Sequence, residues 1–411
     1  MIPVKLRAAL LVAACGALFA LAACGDHGSG PVAQQSGPAR LRILIGSSGS
    51  AETKAVTDAA AAWAAATGNT ATVIPAQDLQ QQLGQAFAGG SPPDVFYVDA
   101  ARFADYASIG ALEPYAEHLP QAADFYDSLR AAFTRDGRFY CAPKDFATLA
   151  LEINDGLWRQ AGLTAADVPR DWDGLRAAAV RLRAAGLAPL VLGDTFDRIG
   201  AFMVQSGGWL VSPDGRQAIA DSPQNLRALR YVQDLLRSGL AAYPKQVDAG
   251  WAGEAFGRGT AVMTVEGNWI KGALAKDYPG VAYSVHELPA GPAGPGTLLS
   301  TTCWGVAARS PFQAQAVSFV EAMTAADQQL AFADAYGVMP SLRSARDRYL
   351  RRFPADAAFL AGADHARGPV NAPRLSRVLA DFDSRLQDLA AADPAVILAR
   401  LQRNLTAVLP G

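Results

Sequence analysis

Along the first half of the chain, apolar residues switch between short contiguous runs and a spacing of three to four. Leu41 to Ile45, Ala71 to Ile74 and Pro93 to Asp99 are short apolar runs that predict strands. Between them lie Glu52 to Ala66, an Ala-rich stretch closed by Gly68, and Leu79 to Ala88, which ends at Gly89-Gly90. Both predict helices, as does Ala101 to Ile109. Strands that alternate with helices of this length make βαβ units and a mostly parallel sheet. Further on, Gly137 turns a hairpin, Pro143 is expected to break it, and Thr148 to Ile153 predicts a strand. Leu157 to Ala161 and Trp172 to Ala184 predict helices, followed by a strand at Pro189 to Leu192. Ser222-Pro223 reads as an N-cap and first helical position, opening an amphipathic helix with Leu226, Leu229, Val232 and Leu236 on one face and Gly239 past its end. Ala261 to Val265 is a short apolar strand that turns through Gly267-Asn268-Trp269 into another helix. Pro289 to Gly296 is a loop and Cys303 to Ala308 a strand; helices at Gln313 to Met323 and Asp327 to Ala333 lead into a helical C-terminal part.

At 411 residues, 51% apolar and 18% charged, the chain is globular and long enough for two cores of ordinary size. A net charge of −2, with no basic run, argues against a nucleic-acid partner. The N-terminus reads as a targeting segment: Lys5 and Arg7 precede an apolar run from Ala8 to Ala20, short of the roughly 20 residues of a membrane span. It ends at Leu21-Ala22-Ala23-Cys24, which resembles a bacterial lipobox cleaved before a lipidated Cys24; an ordinary secretory signal with an incidental Cys is the alternative. Gly25 to Ala39, rich in Gly, Ser, Gln and Pro, is expected to be a flexible tether. Cys141 and Cys303 then remain, in a compartment where a disulfide persists.

No catalytic arrangement holds. Gly46-Ser47-Ser48-Gly49-Ser50 lacks the final Gly of a nucleophile elbow, and there is no phosphate-binding loop and no His-Glu-x-x-His. His27, His118, His286 and His365 share no ligand spacing, so neither metal nor cofactor is expected.

Several strings carry a family resemblance. The segment Gln205 to Lys271 has a double Gly before Trp209, a helix ending in Gly, then EAFGRGTAVMTVEGNWI. Pro93-Asp94-Val95 before the third strand, Gly110-Ala111-Leu112-Glu113-Pro114 after its helix, Asp136-Gly137 with Pro143, Ala161 to Leu182, and Gly337-Val338-Met339-Pro340 follow in order. Taken together they resemble the carbohydrate-type extracellular solute-binding proteins of ABC sugar importers, the maltose-binding-protein-like family; the chain departs from that pattern at Glu152-Ile153, where an aromatic pair is common. The resemblance implies an α/β, two-lobed periplasmic-binding-protein fold of the class II type. Its crossover strands would lie near Phe146 to Leu149, Thr302 to Gly305 and Met339 to Arg343. The implied division is a signal peptide over 1–23, a tether over 24–40, a first lobe over 41–146 with 304–340, and a second over 147–303 with 341–411.

The resemblance also implies a sugar ligand, with malto-oligosaccharide as the candidate, ABC permease subunits as partners, and a monomer held at the outer face of the cell membrane by Cys24. A receptor for another solute, such as a glycerol phosphodiester, and a secreted glycan-processing enzyme are the alternatives. A polyol needs hydroxyl partners and flat apolar plates. Candidates at strand ends and the turns after them are Ser48, Glu52, Asp99, Asp145 and Glu266, with Phe146, Trp209, Trp269 and Trp304 as plates; the resemblance adds Arg367, in a polar, Gly-containing loop where maltose-type members place late contacts. Each has a structural alternative: Glu52 as a charge on a helix start, Asp99 as a helix cap, Glu266 as a solvated strand end, the aromatics as core. Cys141 and Cys303 sit beside segments resembling the lobe-crossing strands, where a disulfide between them is within reach and two separate buried thiols are the alternative.

Overall fold

The computed structural model describes residues 33–409; the expected signal peptide, Cys24 and the first part of the tether lie outside the described residues. The strands are β1 (Arg40–Ile45), β2 (Thr70–Pro75), β3 (Val95–Asp99), β4 (Thr134–Arg135), β5 (Arg138–Phe139), β6 (Ala142–Asn154), β7 (Ala188–Val191), β8 (Ala241–Ala242), β9 (Ala261–Gly267), β10 (Tyr283–His286), β11 (Thr297–Val306) and β12 (Ala366–Arg367). Hydrogen bonds link them in the order β2-β1-β3-β11-β6-β9-β7-β8, with β10 on β6 and β12 on β11. The hairpin β4-β5 stands apart and turns through Asp136 and Gly137, at φ 50° and 75°.

The sheet is parallel at both ends and antiparallel in the middle. β1 pairs in parallel with β2 and β3, and β7 with β8 and β9. β11 and β6 run antiparallel to each other and to the neighbours they meet, β3 and β9. Over Ala142 to Thr148, β6 pairs with β11; from Leu149 to Ile153 it pairs with β9. This one 13-residue strand therefore belongs to both halves. Pro143 does not break it, contrary to the sequence expectation. It sits where the register with β11 shifts between Thr302 and Cys303, a bulge that tolerates a residue without an N–H. β11 likewise starts at Thr297, six residues before the expected strand.

Two main apolar clusters flank the crossing strands. Ile43, Phe96, Trp304, Phe319 and Phe359 belong to the first, Leu151, Leu182, Met203, Leu229 and Leu398 to the second. Each fully buried side chain of this size contributes about 1.5–3 kcal/mol. Strand β6 supplies Phe146 and Ala150 to the first cluster and Leu149, Leu151 and Ile153 to the second. Apolar residues of 342–363 pack with the first, those of 370–409 with the second, and Ile270 and Leu274 of the helix after β9 reach across to the first.

Helix termini follow local chemistry. Ser222 caps Pro223–Arg237 by accepting from Asn225 N (3.2 Å), and Gly68 takes the left-handed conformation after Ser50–Thr67. The last residues of the expected tether are tied down: Gln35 N donates to Pro311 O (2.8 Å) and Gln34 Nε2 to Ser310 O (3.0 Å), while Arg40 already belongs to β1. Cys141 and Cys303 form a disulfide with their Cα atoms 5.7 Å apart, joining the start of β6 to β11.

Candidate functional site

A cavity of about 330 Å3 lies over the middle of β11, between Leu298 and Thr301. The end of β3 brings Asp99 to it, the start of helix Phe196–Gln205 brings Asp197 and Arg198, and the turn after β9 brings Trp269. Trp209 and Arg367 close the far side. Ligands in open α/β sheets sit at such a crevice beyond the strand ends.

Trp269 is the exposed plate, with 39% of its surface accessible. Its indole Nε1 donates to Glu266 Oε2 (2.9 Å), which also accepts from Arg198 Nη2 (2.7 Å) and Nε (3.2 Å). The Arg198 guanidinium lies 5.0 Å from the Trp269 ring centroid, a cation–π contact that steadies the ring from one side. A Cβ on Gly267 would come within 2.2 Å of that ring, which is why the residue two before the tryptophan must be glycine. Glu266 itself is buried; its Oε2 positions the plate through Trp269 and Arg198, and its Oε1 has no hydrogen bond among the described residues.

Beneath Glu266, the side chain of Glu152 on β6 is buried; its Oε2 accepts from Glu266 N (3.1 Å) and its Oε1 has no partner among the described residues. Burial, and then the neighbouring Glu266 charge, push Glu152 well above the usual carboxylate range.

Trp209 is 4% exposed and packs 5.7 Å from Phe196, while Arg367 Cζ lies 4.4 Å from its ring centroid. The double glycine before it has a steric cause: Gly207 has φ 79°, and a Cβ on Gly208 would collide with Asn225 Oδ1 at 2.0 Å. Asn225 Nδ2 in turn donates to Trp209 O (2.7 Å). Beyond Trp209 and Arg367 the crevice widens into a second cavity of about 810 Å3, between the β4-β5 turn and the loop Ser212 to Arg216.

Asp99 lines the first cavity and makes no side-chain cap to its helix; its Oδ1 accepts from Thr302 Oγ1 (3.2 Å) and the residue is otherwise exposed. Of the ten sequence candidates, Asp99, Trp209, Trp269 and Arg367 come together at this cavity, with Glu266 directly behind.

The remaining candidates lie elsewhere. Ser48 donates through N and Oγ to Glu52 Oε2 (2.8 and 2.7 Å), and Tyr97 OH donates to Glu52 Oε1 (3.0 Å). Lys144 Nζ is 3.0 Å from Glu52 and pairs with Asp145, all three being buried. Burial pushes Glu52 up, but Lys144 and the Ser48 donors outweigh it and hold the carboxyl below its ordinary value; for Asp145 burial wins and the shift is upward. This network ties Glu52, Lys144 and Asp145 together at the start of helix Ser50–Thr67, with Ser48 exposed at its edge and outside the cavity over β11. Phe146 is 3% exposed, with its ring 5.5 Å from Tyr126. Trp304 is fully buried between Tyr97 (4.9 Å) and Phe319 (5.7 Å), because β11 is there an inner strand between β3 and β6 with both faces covered.

Sequence reasoning missed Arg198, Ser300 and Thr301. Arg198 lies on the first turn of the helix that follows β7, a position typical of ligand groups in α/β folds. Ser300 and Thr301 were hidden by starting the strand at Cys303; the threonines at 297, 301 and 302 around Leu298 and Leu299 carry the strand signal. The cavity thus offers a flat plate, a carboxylate acceptor, strand hydroxyls and a guanidinium, a set suited to holding a polar ring compound. Among the described residues no group of three or more His, Cys, Asp or Glu is placed to hold a metal.

Comparison with known proteins agrees on the fold. The chain resembles the crystal structure of the cyclic alpha-maltosyl-1,6-maltose binding protein of Arthrobacter globiformis, with a TM-score of 0.81 at 22% identity over 91% of this chain and 99% of that one. A cyclo/maltodextrin-binding protein complexed with maltotetraose matches with a TM-score of 0.79 at 18% identity, covering 91% and 98%. These establish the two-lobed α/β fold expected from the sequence.

Among sequence relatives, a putative binding protein of Brucella abortus is 22% identical over 235 residues; the match spans 54% of this chain and 56%, a little over half, of that relative's length. The diacetylchitobiose binding protein DasA of Streptomyces coelicolor is 24% identical over 290 residues, 68% of each chain. Residues 58–361, most of the chain, match the family model described as bacterial extracellular solute-binding protein, and it is to the bacterial extracellular solute-binding proteins that this chain belongs.

Proposed function

We propose that this protein captures a saccharide in the crevice between its two lobes and delivers it to the permease of an ABC importer. The observation that carries the reading is the pairing of a half-exposed, rigidly held Trp269 with the open carboxylate of Asp99 across one cavity floored by β11. Sugars present C–H faces that stack on indoles and hydroxyls that donate to carboxylates. The names of the relatives point the same way, to α-linked glucose oligomers and to diacetylchitobiose.

In this reading the lobes form around the two apolar clusters, and bending occurs in the residues of β6, β11 and 339–341 that pass between them. Ligand shifts the balance toward the closed state by binding it more tightly. Cys24 carries the lipid that holds the monomeric protein on the outer face of the membrane. The protein releases its ligand unchanged, so a chromogenic glycoside is not turned over.

Calorimetry with maltotriose and N,N′-diacetylchitobiose tests the site. Trp269→Ala should cost about 2–4 kcal/mol of binding, the range of a hot-spot aromatic. Asp99→Ala should cost about 1.5–3 kcal/mol through loss of a charged acceptor. Saccharide affinity unchanged in both variants, with the fold intact, would move the site elsewhere.

A further inference from the structure

Arg367 differs from the other cations around the crevice. Arg198 is paired with Glu266 at 2.7 Å, and Arg135 with Asp136 at 3.5 Å. Arg216, on the outer wall, is exposed, where an unpaired charge is hydrated and costs little. Arg367 is only partly exposed, lines both cavities at their junction, and has neither an ion-pair partner nor a side-chain hydrogen bond among the described residues. Its backbone is held by pairing of β12 with Leu298 on β11, and its guanidinium by Trp209. Burial alone shifts its pKa, downward, with no nearby carboxylate to oppose it.

A guanidinium remains charged in any protein environment and offers five N–H donors in a planar fork. Held against an indole and partly removed from water, it lacks both neutralisation and acceptors. Of these two, a neutral sugar supplies the acceptors but not the charge. A carboxylate supplies the charge and takes two parallel N–H bonds in one plane. At the other end of the same cavity, Asp99 asks instead for donors, which hydroxyls supply.

We infer that the ligand carries a carboxylate, that Arg367 binds it at the junction of the two cavities, and that the natural ligand class is therefore an acidic oligosaccharide with a uronic-acid ring at Trp209. The inference rests on the saccharide reading above. In it a neutral ring lies on Trp269 with its hydroxyls toward Asp99, and the acidic ring reaches Arg367 and continues toward the wider cavity.

The test uses matched pairs, maltotriose and N,N′-diacetylchitobiose against the same sugars with one ring oxidised at C6 to the uronate, titrated at low salt by calorimetry. The 6-phosphate of each sugar forms a third arm. The uronate should bind at least tenfold more tightly than its neutral counterpart. Arg367→Gln should abolish that ratio, bringing the two members of each pair to equal affinity, while Arg367→Lys keeps part of the ratio. Trp269→Ala should weaken both members of a pair alike. Equal affinity within a pair, or a ratio that survives Arg367→Gln, overturns the inference and leaves the saccharide reading standing. Tighter binding of the 6-phosphate than of the uronate overturns the carboxylate assignment. No binding by any member overturns both readings together.

Discussion

At its Ala142 end, β6 carries Lys144 and Asp145 into a network with buried Glu52 and Tyr97 and the exposed Ser48; at its Asn154 end, Glu152 lies under Glu266, Arg198 and Trp269. Both ends combine carboxylates, a cation and an aromatic ring, yet they do different work. In the first network donors and charges face one another, the disulfide from Cys141 to Cys303 lies alongside, and no ring reaches the crevice. In the second, Glu266 turns outward a ring it holds by its N–H, with Arg198 packed against it. A charged cluster at a strand end is therefore a clamp or a platform according to whether its last member is covered. The first end should govern stability and the second affinity.

Four measurements would break or sharpen that contrast, beginning with the largest effect. The disulfide closes a sequence separation of 162 residues, so its reduction should lower the unfolding free energy by about 5 kcal/mol in the chain-entropy view, with saccharide affinity preserved in the folded protein. Denaturant titration with and without reductant measures this, and an unchanged midpoint would show that the bridge adds nothing at the rigid end.

Lys144→Met comes next. It leaves Glu52 and Asp145 buried without their cation, a change that costs about 3–5 kcal/mol of stability. Adding Glu52→Gln and Asp145→Asn to the same chain should recover much of the loss. A selective loss of affinity in Lys144→Met would instead assign this end to the ligand.

Glu266→Gln should do the reverse. It strips the anion from Arg198 and loosens Trp269, reducing affinity about tenfold, or about 1.4 kcal/mol. The quantity to compare is the ratio of affinity loss to stability loss, which should be higher here than for Lys144→Met. Equal ratios would erase the distinction between the ends.

The smallest effect is a slope. Glu152 has its pKa raised from 4.5 in the fold, so the folded state keeps a proton that the unfolded chain releases. Its contribution is fully present below about 4.5 and is lost as pH rises toward the raised folded value. Glu152→Gln should remove that part of the pH dependence, read from denaturation midpoints across the acid-to-neutral range. An unaltered slope would mean that Glu152 is ionised in the fold.

Much of the architecture was legible in the chain itself. Helix Leu79–Ala88 ends where its glycines stand, Trp172–Ala184 begins beside Asp171, and the β4-β5 turn falls on Gly137. Caps, turns and periodicity act over a few residues, so a sequence carries them directly. Trp269 is singled out by the family-like Gly-x-Trp pattern, and the fold supplies its steric reason in a Cβ that would have no room at Gly267. What tertiary structure alone decided is which polar and aromatic groups stay open. Ser48, Glu52, Asp145, Phe146 and Trp304 stand at strand ends or crossings just as Asp99 and Trp269 do, but helix Ser50–Thr67, Lys144 and the neighbouring strands cover or satisfy them. Partners such as Lys144 and Glu52, or Arg198 and Glu266, are dozens of residues apart and meet only once the sheet has formed. Local chemistry sets where an element starts and stops, and the packing of distant elements settles whether its end meets water, a neighbour or a ligand.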